Sequence, residues 1–235
     1  MATVDVVIPV YNEEVALSGS VAKLRAFLQE NLALPWTIVI ADNGSIDHTL
    51  AVAQKLAGQY LGVTYIHLPE KGRGRALRKA WLESTADIVS YMDVDLSTDL
   101  KAFPPLVTAI AEEGYDVAIG TRLASQSQTK RSLKREFISR CYNLLVKAMF
   151  FTRFSDAQCG FKALSRKAVQ ELVPLIENQE WFFDTELLIL AEKKGYRVKE
   201  IPVEWVEDPD TRVKIRKTVM EDLKGLWRLR SRPLP

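Results

Sequence analysis

The sequence predicts a single α/β domain, a mostly parallel central sheet flanked by helices on both faces. Three observations lead there. Short β-branched runs alternate with longer segments of helical period. The runs are apolar at consecutive positions, as strands covered on both sides are. Acids, bases and glycines gather in the segments that follow the runs, where an open sheet of this kind binds its ligand. With 235 residues and 47% hydrophobic content, the chain is long enough for one sizeable core.

Strands are expected over residues 4–10, 37–41, 63–67, 88–92, 117–120 and 197–205. Helices are expected over 14–28, 47–60, 73–84, 100–113, 132–151, 165–173 and 183–194. In the first helix Leu17, Val21, Leu24 and Leu28 share one face. The second opens on Asp42-Asn43-Gly44-Ser45-Ile46-Asp47, a turn joined to an N-terminal cap. The segment 137–151 is strongly apolar with interspersed bases; one face must pack on the sheet, and the other is suited to a bilayer interface. No repeat, low-complexity segment or linker interrupts the pattern. Residues 1–217 are read as the catalytic domain and 218–235 as a basic C-terminal tail or helix.

Charge is nearly balanced overall, 32 Lys plus Arg against 30 Asp plus Glu, but not locally. Between Arg122 and Arg153 stand eight bases and a single acid, Glu136, a patch that attracts phosphate or anionic lipid. Two cysteines cannot build a disulfide framework, so a reducing compartment is expected. Two histidines, His48 and His67, argue against a histidine-rich zinc site. No signal peptide is expected, and no apolar run reaches the roughly 18–20 residues of a membrane span. Together these point to a cytoplasmic protein resting peripherally on a membrane face.

The loops carry the chemistry. Asp93-Val94-Asp95 follows an apolar strand, and two carboxylates at i and i+2 beyond a strand end suit Mg²⁺ or Mn²⁺ shared with substrate phosphates. The alternative is an ordinary acidic turn. Lys71-Gly72-Arg73-Gly74-Arg75 is a poor dinucleotide fingerprint, because it follows the third strand and has no third glycine in register. It reads better as a basic loop approaching phosphates. Asp42, at a strand tip, is placed to accept from a nucleobase N–H. Nucleic-acid binding would explain the bases but not the acidic pair.

Pro9-Val10-Tyr11-Asn12-Glu13, the Asp42–Asp47 turn, Asp93-Val94-Asp95, Asp156-Ala157-Gln158-Cys159-Gly160-Phe161-Lys162 and Trp181-Phe182-Phe183-Asp184-Thr185-Glu186 occur in the order seen in inverting family-two glycosyltransferases of GT-A fold. The set resembles the branch of dolichyl- and polyprenyl-phosphate mannose and glucose synthases. That resemblance implies a UDP- or GDP-sugar donor held by Pro9, Tyr11, Glu13 and Asp42. It implies a metal on Asp93 and Asp95, with Val94 between them. Lys71, Arg75, Lys162, Arg212 and Lys214 would lie near phosphates. Arg122, Arg135 and Ser139 would bind the acceptor phosphate, and Gln158 the acceptor or sugar. Asp184 and Glu186 read as orienting the acceptor or sugar, as a base for an alcohol acceptor, or as partners of the basic loop, and Trp181 as a sugar-stacking or a core ring. Three positions depart from the branch: Ser97 where glutamine is usual, Asn43 for an acid, and Asp210-Thr211-Arg212-Val213-Lys214 for the late Gly-Ser-Lys loop.

A hexose leaving a nucleoside diphosphate builds negative charge on the diphosphate, which a cation at Asp93 and Asp95 would neutralise. A polyprenyl phosphate is already anionic near neutral pH and needs placement rather than a base, a task for Arg122 and Arg135. Competing readings are a family-two enzyme with a soluble or growing glycan acceptor, a sugar-nucleotide pyrophosphorylase, and a non-enzymatic nucleotide-binding module.

Overall fold

The computed structural model describes residues 1–130, 132–207 and 215–232, with backbone alone at 133 and 215–217. In chain order the elements are β1 (Val4–Val10), α1 (Leu17–Asn31), β2 (Trp36–Asn43), α2 (Thr49–Gln59), β3 (Val63–Leu68), α3 (Arg73–Glu83), β4 (Ile88–Met92), α4 (Phe103–Ala111) and β5 (Val117–Thr121). After them come β6 (Gln128–Lys130), α5 (Leu133–Phe150), β7 (Phe161–Ser165), α6 (Arg166–Leu172), α7 (Phe183–Lys193), β8 (Val198–Pro202), β9 (Glu204–Val206) and α8 (Ile215–Arg230). Seven strands form one sheet in the order β3-β2-β1-β4-β7-β5-β8, parallel except for β7, and β6 pairs with β9 beside it.

Alternation along the strands builds two cores. Val4, Val6, Ile8 and Val10 of β1, with Ile38 and Ile40 of β2, face one side with α1, α2 and α4. Val7, Val39, Val89, Tyr91, Val117 and Ile119 face the other, under α3, α5, α6, α7 and α8. Period two within fully apolar strands is what a sheet covered on both faces requires. Leu226 and Leu229 bring α8 into the second core.

The sequence-predicted strands 4–10, 63–67, 88–92 and 117–120 lie where expected, and three differences have physical causes. α1 starts three residues later than its periodicity suggests. Asn12, Glu13 and Glu14 instead give their amides to Ser45 Oγ, Thr49 Oγ1 and Asp47 Oδ2, which ties the first loop to the second. The expected strand 197–205 is two strands, because Val203 is buried and bonds Thr121 and Gln128 at the point where β8 hands over to β9. β7 was not expected at all. It is five residues long, carries Lys162 at its second position, and runs antiparallel between β4 and β5. That insertion brings the start of β7 to the same sheet edge as the end of β4, with Phe161 opposite Met92.

Candidate active site

The carboxyl ends of β1, β2 and β4 share one edge, and the loops above it are knitted together. Asn43 Nδ2 donates to the Val10 carbonyl at 2.6 Å, and its Oδ1 accepts from the Gly72 amide at 3.1 Å. A carboxylate accepts only, so asparagine at this position makes two bonds of opposite sense. Asp42 is fully buried; His67 Nδ1 donates to its Oδ2 at 2.7 Å, and Oδ1 has no partner. Lys71 Nζ lies 3.5 Å above the centre of the Tyr11 ring, a cation–π contact. Pro9 is buried within β1 opposite Ala41, and Glu13 sits in the loop secured by Thr49. Gly44 adopts φ 75°, and a Cβ there would stand 2.9 Å from the Lys71 amide, so glycine lets these two loops meet.

Asp93 follows β4 directly, its side chain 43% exposed. The loop continues through Val94 and an exposed Asp95, which accepts the Ser97 amide at 2.9 Å, to Leu96 at φ 49°. Gly160, just before β7, lies hard against Asp93: a Cβ would come within 1.8 Å of Oδ2. Arg73 reaches Asp93 from the first turn of α3. One guanidinium nitrogen bonds Asp93 Oδ1 at 3.1 Å and another Asp184 Oδ2 at 2.6 Å, and the group stacks on Tyr91 and Trp181 at 4.8 and 4.9 Å. Asp184 also accepts from Tyr91 Oη at 2.5 Å and pairs with Lys162 at 3.2 Å. Burial pushes the Asp184 carboxyl up, but Lys162 and Arg73 outweigh it and hold the group below the usual range.

Several expected site residues are engaged differently from the sequence reading. Lys162, expected near phosphates, is wholly buried and spends its ammonium on the carbonyls of Cys159 and Ala157 and on Asp184. Arg75 turns back to Glu70 and the Lys71 carbonyl, and Arg73 takes the inward position. Arg122 grips Asp156 through Nε and a terminal nitrogen at 2.8 and 2.9 Å; although burial opposes it, that pair holds the Asp156 carboxyl down to about 2. Arg135 pairs with Glu207 at 2.8 Å, and Ser139 presents a buried hydroxyl without a partner. Glu186 accepts two backbone amides, from Glu177 and Asn178, and the Arg228 guanidinium, which is a structural role. Trp181 is 38% exposed beside Arg73. Gln158 donates to Asp222 of α8 at 2.8 Å. Burial, reinforced by Glu221 and Asp184, raises the Asp222 carboxyl to about 7. Arg212 and Lys214 lie outside the described residues.

Sequence reasoning missed Arg73, Tyr91, Asp156 and Asp222 as parts of this site. Arg73 and Asp156 carried a signal, each lying inside a sequence motif: the residue that opens α3 aims along the helix start, whereas positions 71 and 75 flank it. Tyr91 stands on β4, Asp156 in the loop before β7, and Asp222 on α8.

Among the described residues no group of three or more acidic, His or Cys side chains surrounds one point. Two exposed hard-oxygen ligands at a sheet edge do fit a cation bound through one or two carboxylates plus substrate phosphates. Because Gly160 leaves just enough room for the Asp93 carboxylate, Gly160→Ala is expected to weaken Mn²⁺ binding about tenfold or more while the melting temperature moves by only a few degrees. Titration calorimetry beside a thermal melt checks this; unchanged Mn²⁺ affinity would refute it.

The family model described as glycosyl transferase family 2 matches residues 5–173. The chain belongs to that family. It is similar to glycosyltransferase AglD of Haloferax volcanii, 35% identical over 98% of this chain and 38% of the relative. It is also similar to dolichyl-phosphate beta-glucosyltransferase of Saccharomyces cerevisiae, 31% identical over 86% of this chain and 66% of the relative. The chain therefore spans less than two thirds of these curated relatives. Among solved structures, glucosyl-3-phosphoglycerate synthase from Mycobacterium tuberculosis, in complex with Mn²⁺, UDP and phosphoglyceric acid, superposes with a TM-score of 0.75. At 18% identity, covering 99% of this chain and 80% of that one, it establishes the shared GT-A architecture of this family-two chain.

Proposed function

We propose that this chain transfers a hexose, glucose foremost, from a nucleoside-diphosphate sugar to a polyprenyl or dolichyl phosphate, with inversion at the anomeric carbon. The observation that carries the reading is the meeting of an acidic pair, Asp93 and Asp95, with a buried, half-satisfied Asp42 on one sheet edge beside a strongly basic segment. The glucosyltransferase names of the similar proteins support the choice of sugar and acceptor.

Asp93 and Asp95 would hold Mg²⁺ or Mn²⁺, which supplies neutralising charge to the departing diphosphate. Asp42 accepts from the nucleobase, and the Tyr11 ring offers it a face. Arg73 keeps Asp93 oriented. Arg122 and Arg135 place the acceptor phosphate, whose oxygen is anionic without help from a base. A sugar-hydroxyl acceptor would need a general base. Asp184 is committed to Arg73, Lys162 and Tyr91, which favours the phosphate acceptor over a glycan.

The acceptor's lipid chain makes a membrane surface the natural workplace, at its cytoplasmic side. α5 exposes Phe137 and Leu144, with Phe151 just past its end, beside Lys134, Arg140 and Lys147, and α8 exposes Met220 and Trp227. No helix among the described residues is long and apolar enough to cross a membrane. Bases around exposed apolar side chains suit the interface of an anionic bilayer.

The test is a donor screen with Mn²⁺ and a short polyprenyl phosphate, reading the product's anomeric configuration by NMR. A β-linked lipid-phosphate hexose from an α-linked donor supports the reading; hydrolysis alone, or transfer only to free glycans, overturns it. Arg135→Ala is expected to raise KM for the lipid phosphate about tenfold while leaving donor KM nearly unchanged, as loss of one charge-assisted phosphate contact should.

A further inference from the structure

Asp42 ends β2 with a carboxylate that is fully buried and half used. Its register partner on β3 is His67, the two side chains standing side by side at the same edge. His67 Nδ1 donates to Oδ2 at 2.7 Å, leaving Oδ1 enclosed by the fold and without a partner. A buried carboxylate oxygen with nothing to accept from is costly, so its retention at a ligand edge calls for a donor that arrives with the ligand. Nucleobases differ in the donors they offer. Guanine presents an N1–H and an exocyclic amine side by side, matched to both oxygens of one carboxylate. Uracil presents a single N3–H between two carbonyls. Cytosine has an acceptor at that position.

We propose that His67 sets the base selectivity of the donor site: by holding one Asp42 oxygen, it leaves the other to a base with a single ring N–H, which makes the donor a UDP-sugar. This rests on the reading of Asp42 as the nucleobase contact. A guanine offered the same half-used carboxylate keeps its second donor unpaired in a buried slot, and a site that leaves one polar group unmatched discriminates strongly. His67 itself is a positioning residue; it acts on the base only through Asp42. Its ring is 40% exposed, so the contact to Oδ2 fixes the imidazole rather than packing around it.

The experiment measures binding of UDP, GDP and CDP to the full chain in MnCl₂ by titration calorimetry. Wild-type protein should prefer UDP to GDP by about 10²-fold, with CDP weak. His67→Ala frees Oδ2 and should shrink the UDP-to-GDP ratio by about tenfold, the worth of one charge-assisted hydrogen bond. His67→Gln, whose amide N–H also donates to Oδ2, should keep the ratio and guards against a folding defect, which a thermal melt of each variant monitors. Equal binding of GDP and UDP by the wild type overturns the proposal. So does an unchanged ratio in His67→Ala, the result expected if a purine is excluded by size alone. Asp42→Ala separates the two levels. If it erases the preference for UDP over CDP while His67→Ala changes nothing, only the role of His67 falls. If UDP is still preferred over CDP without Asp42, the nucleobase reading falls with it.

Discussion

Replacing Asp93 by asparagine is expected to lower sugar transfer by at least about 10²-fold and to weaken Mn²⁺ binding in parallel, with little change in stability. The amide is nearly isosteric, so it should pass Gly160 as the carboxylate does. What it loses is charge. Arg73 sits between Asp93 and Asp184 and donates to one oxygen of each. Once position 93 is neutral, Arg73 answers to Asp184 alone and the cation has only Asp95 as a charged protein ligand. The side chain is 43% exposed, so removing its charge leaves no deeply buried group uncompensated. Initial rates with a sugar nucleotide, together with calorimetric Mn²⁺ titration and a melting curve, check all three statements. An Asp93→Asn chain that turns over at full speed in chelator would remove the foundation of the metal reading.

The second large effect belongs to stability. Asp184→Ala is expected to destabilise the fold by about 3–5 kcal/mol, because it removes the anion paired with buried Lys162 and leaves buried Arg73 with only the longer contact to Asp93. Asp184 is 3% exposed and Lys162 fully buried, and the carboxylate is the anion shared by Lys162 and Arg73. Tyr91, its hydroxyl donating to the same group, would lose the nearer of its two acceptors and keep the Cys159 carbonyl at 3.4 Å. Asp184→Asn keeps the volume and one acceptor oxygen and should cost less. Urea unfolding monitored by circular dichroism measures both. Were Asp184→Ala to melt with the wild type, the group would be dispensable to the fold, and a direct part in chemistry would have to be reconsidered.

Much of this architecture was legible in the residues, and the reasons differ from element to element. β1 and β4 are apolar at nearly every covered position, the buried Ser90 excepted, so they read as strands buried on both faces. The Asp93-x-Asp95 pair was readable because it follows such a strand immediately. β7 was hidden because Lys162 breaks its apolar run, and that lysine is tolerated only through carbonyls and a carboxylate supplied by distant segments. The same reason misplaced Lys162 among phosphate ligands: a lone lysine in a motif gives no hint that its partners are internal. Arg75 and Arg73 were confused because only the start of α3 decides which of the two points inward. Gln158 meets Asp222 sixty-four residues away, a pairing no local pattern announces.

The reversed strand inside the sheet has one further effect. β7 pairs with a neighbour on each side, and its partners in β4 lie some seventy residues earlier in the chain. Contacts of such long sequence separation form late. Register errors here are also unforgiving: a shift by one residue would bring Phe161 to the carboxylate that Gly160 now accommodates and turn Lys162 toward the opposite layer. On the proposed site, Mn²⁺ affinity would therefore respond to the register of β7, because Gly160 at its start lies against Asp93.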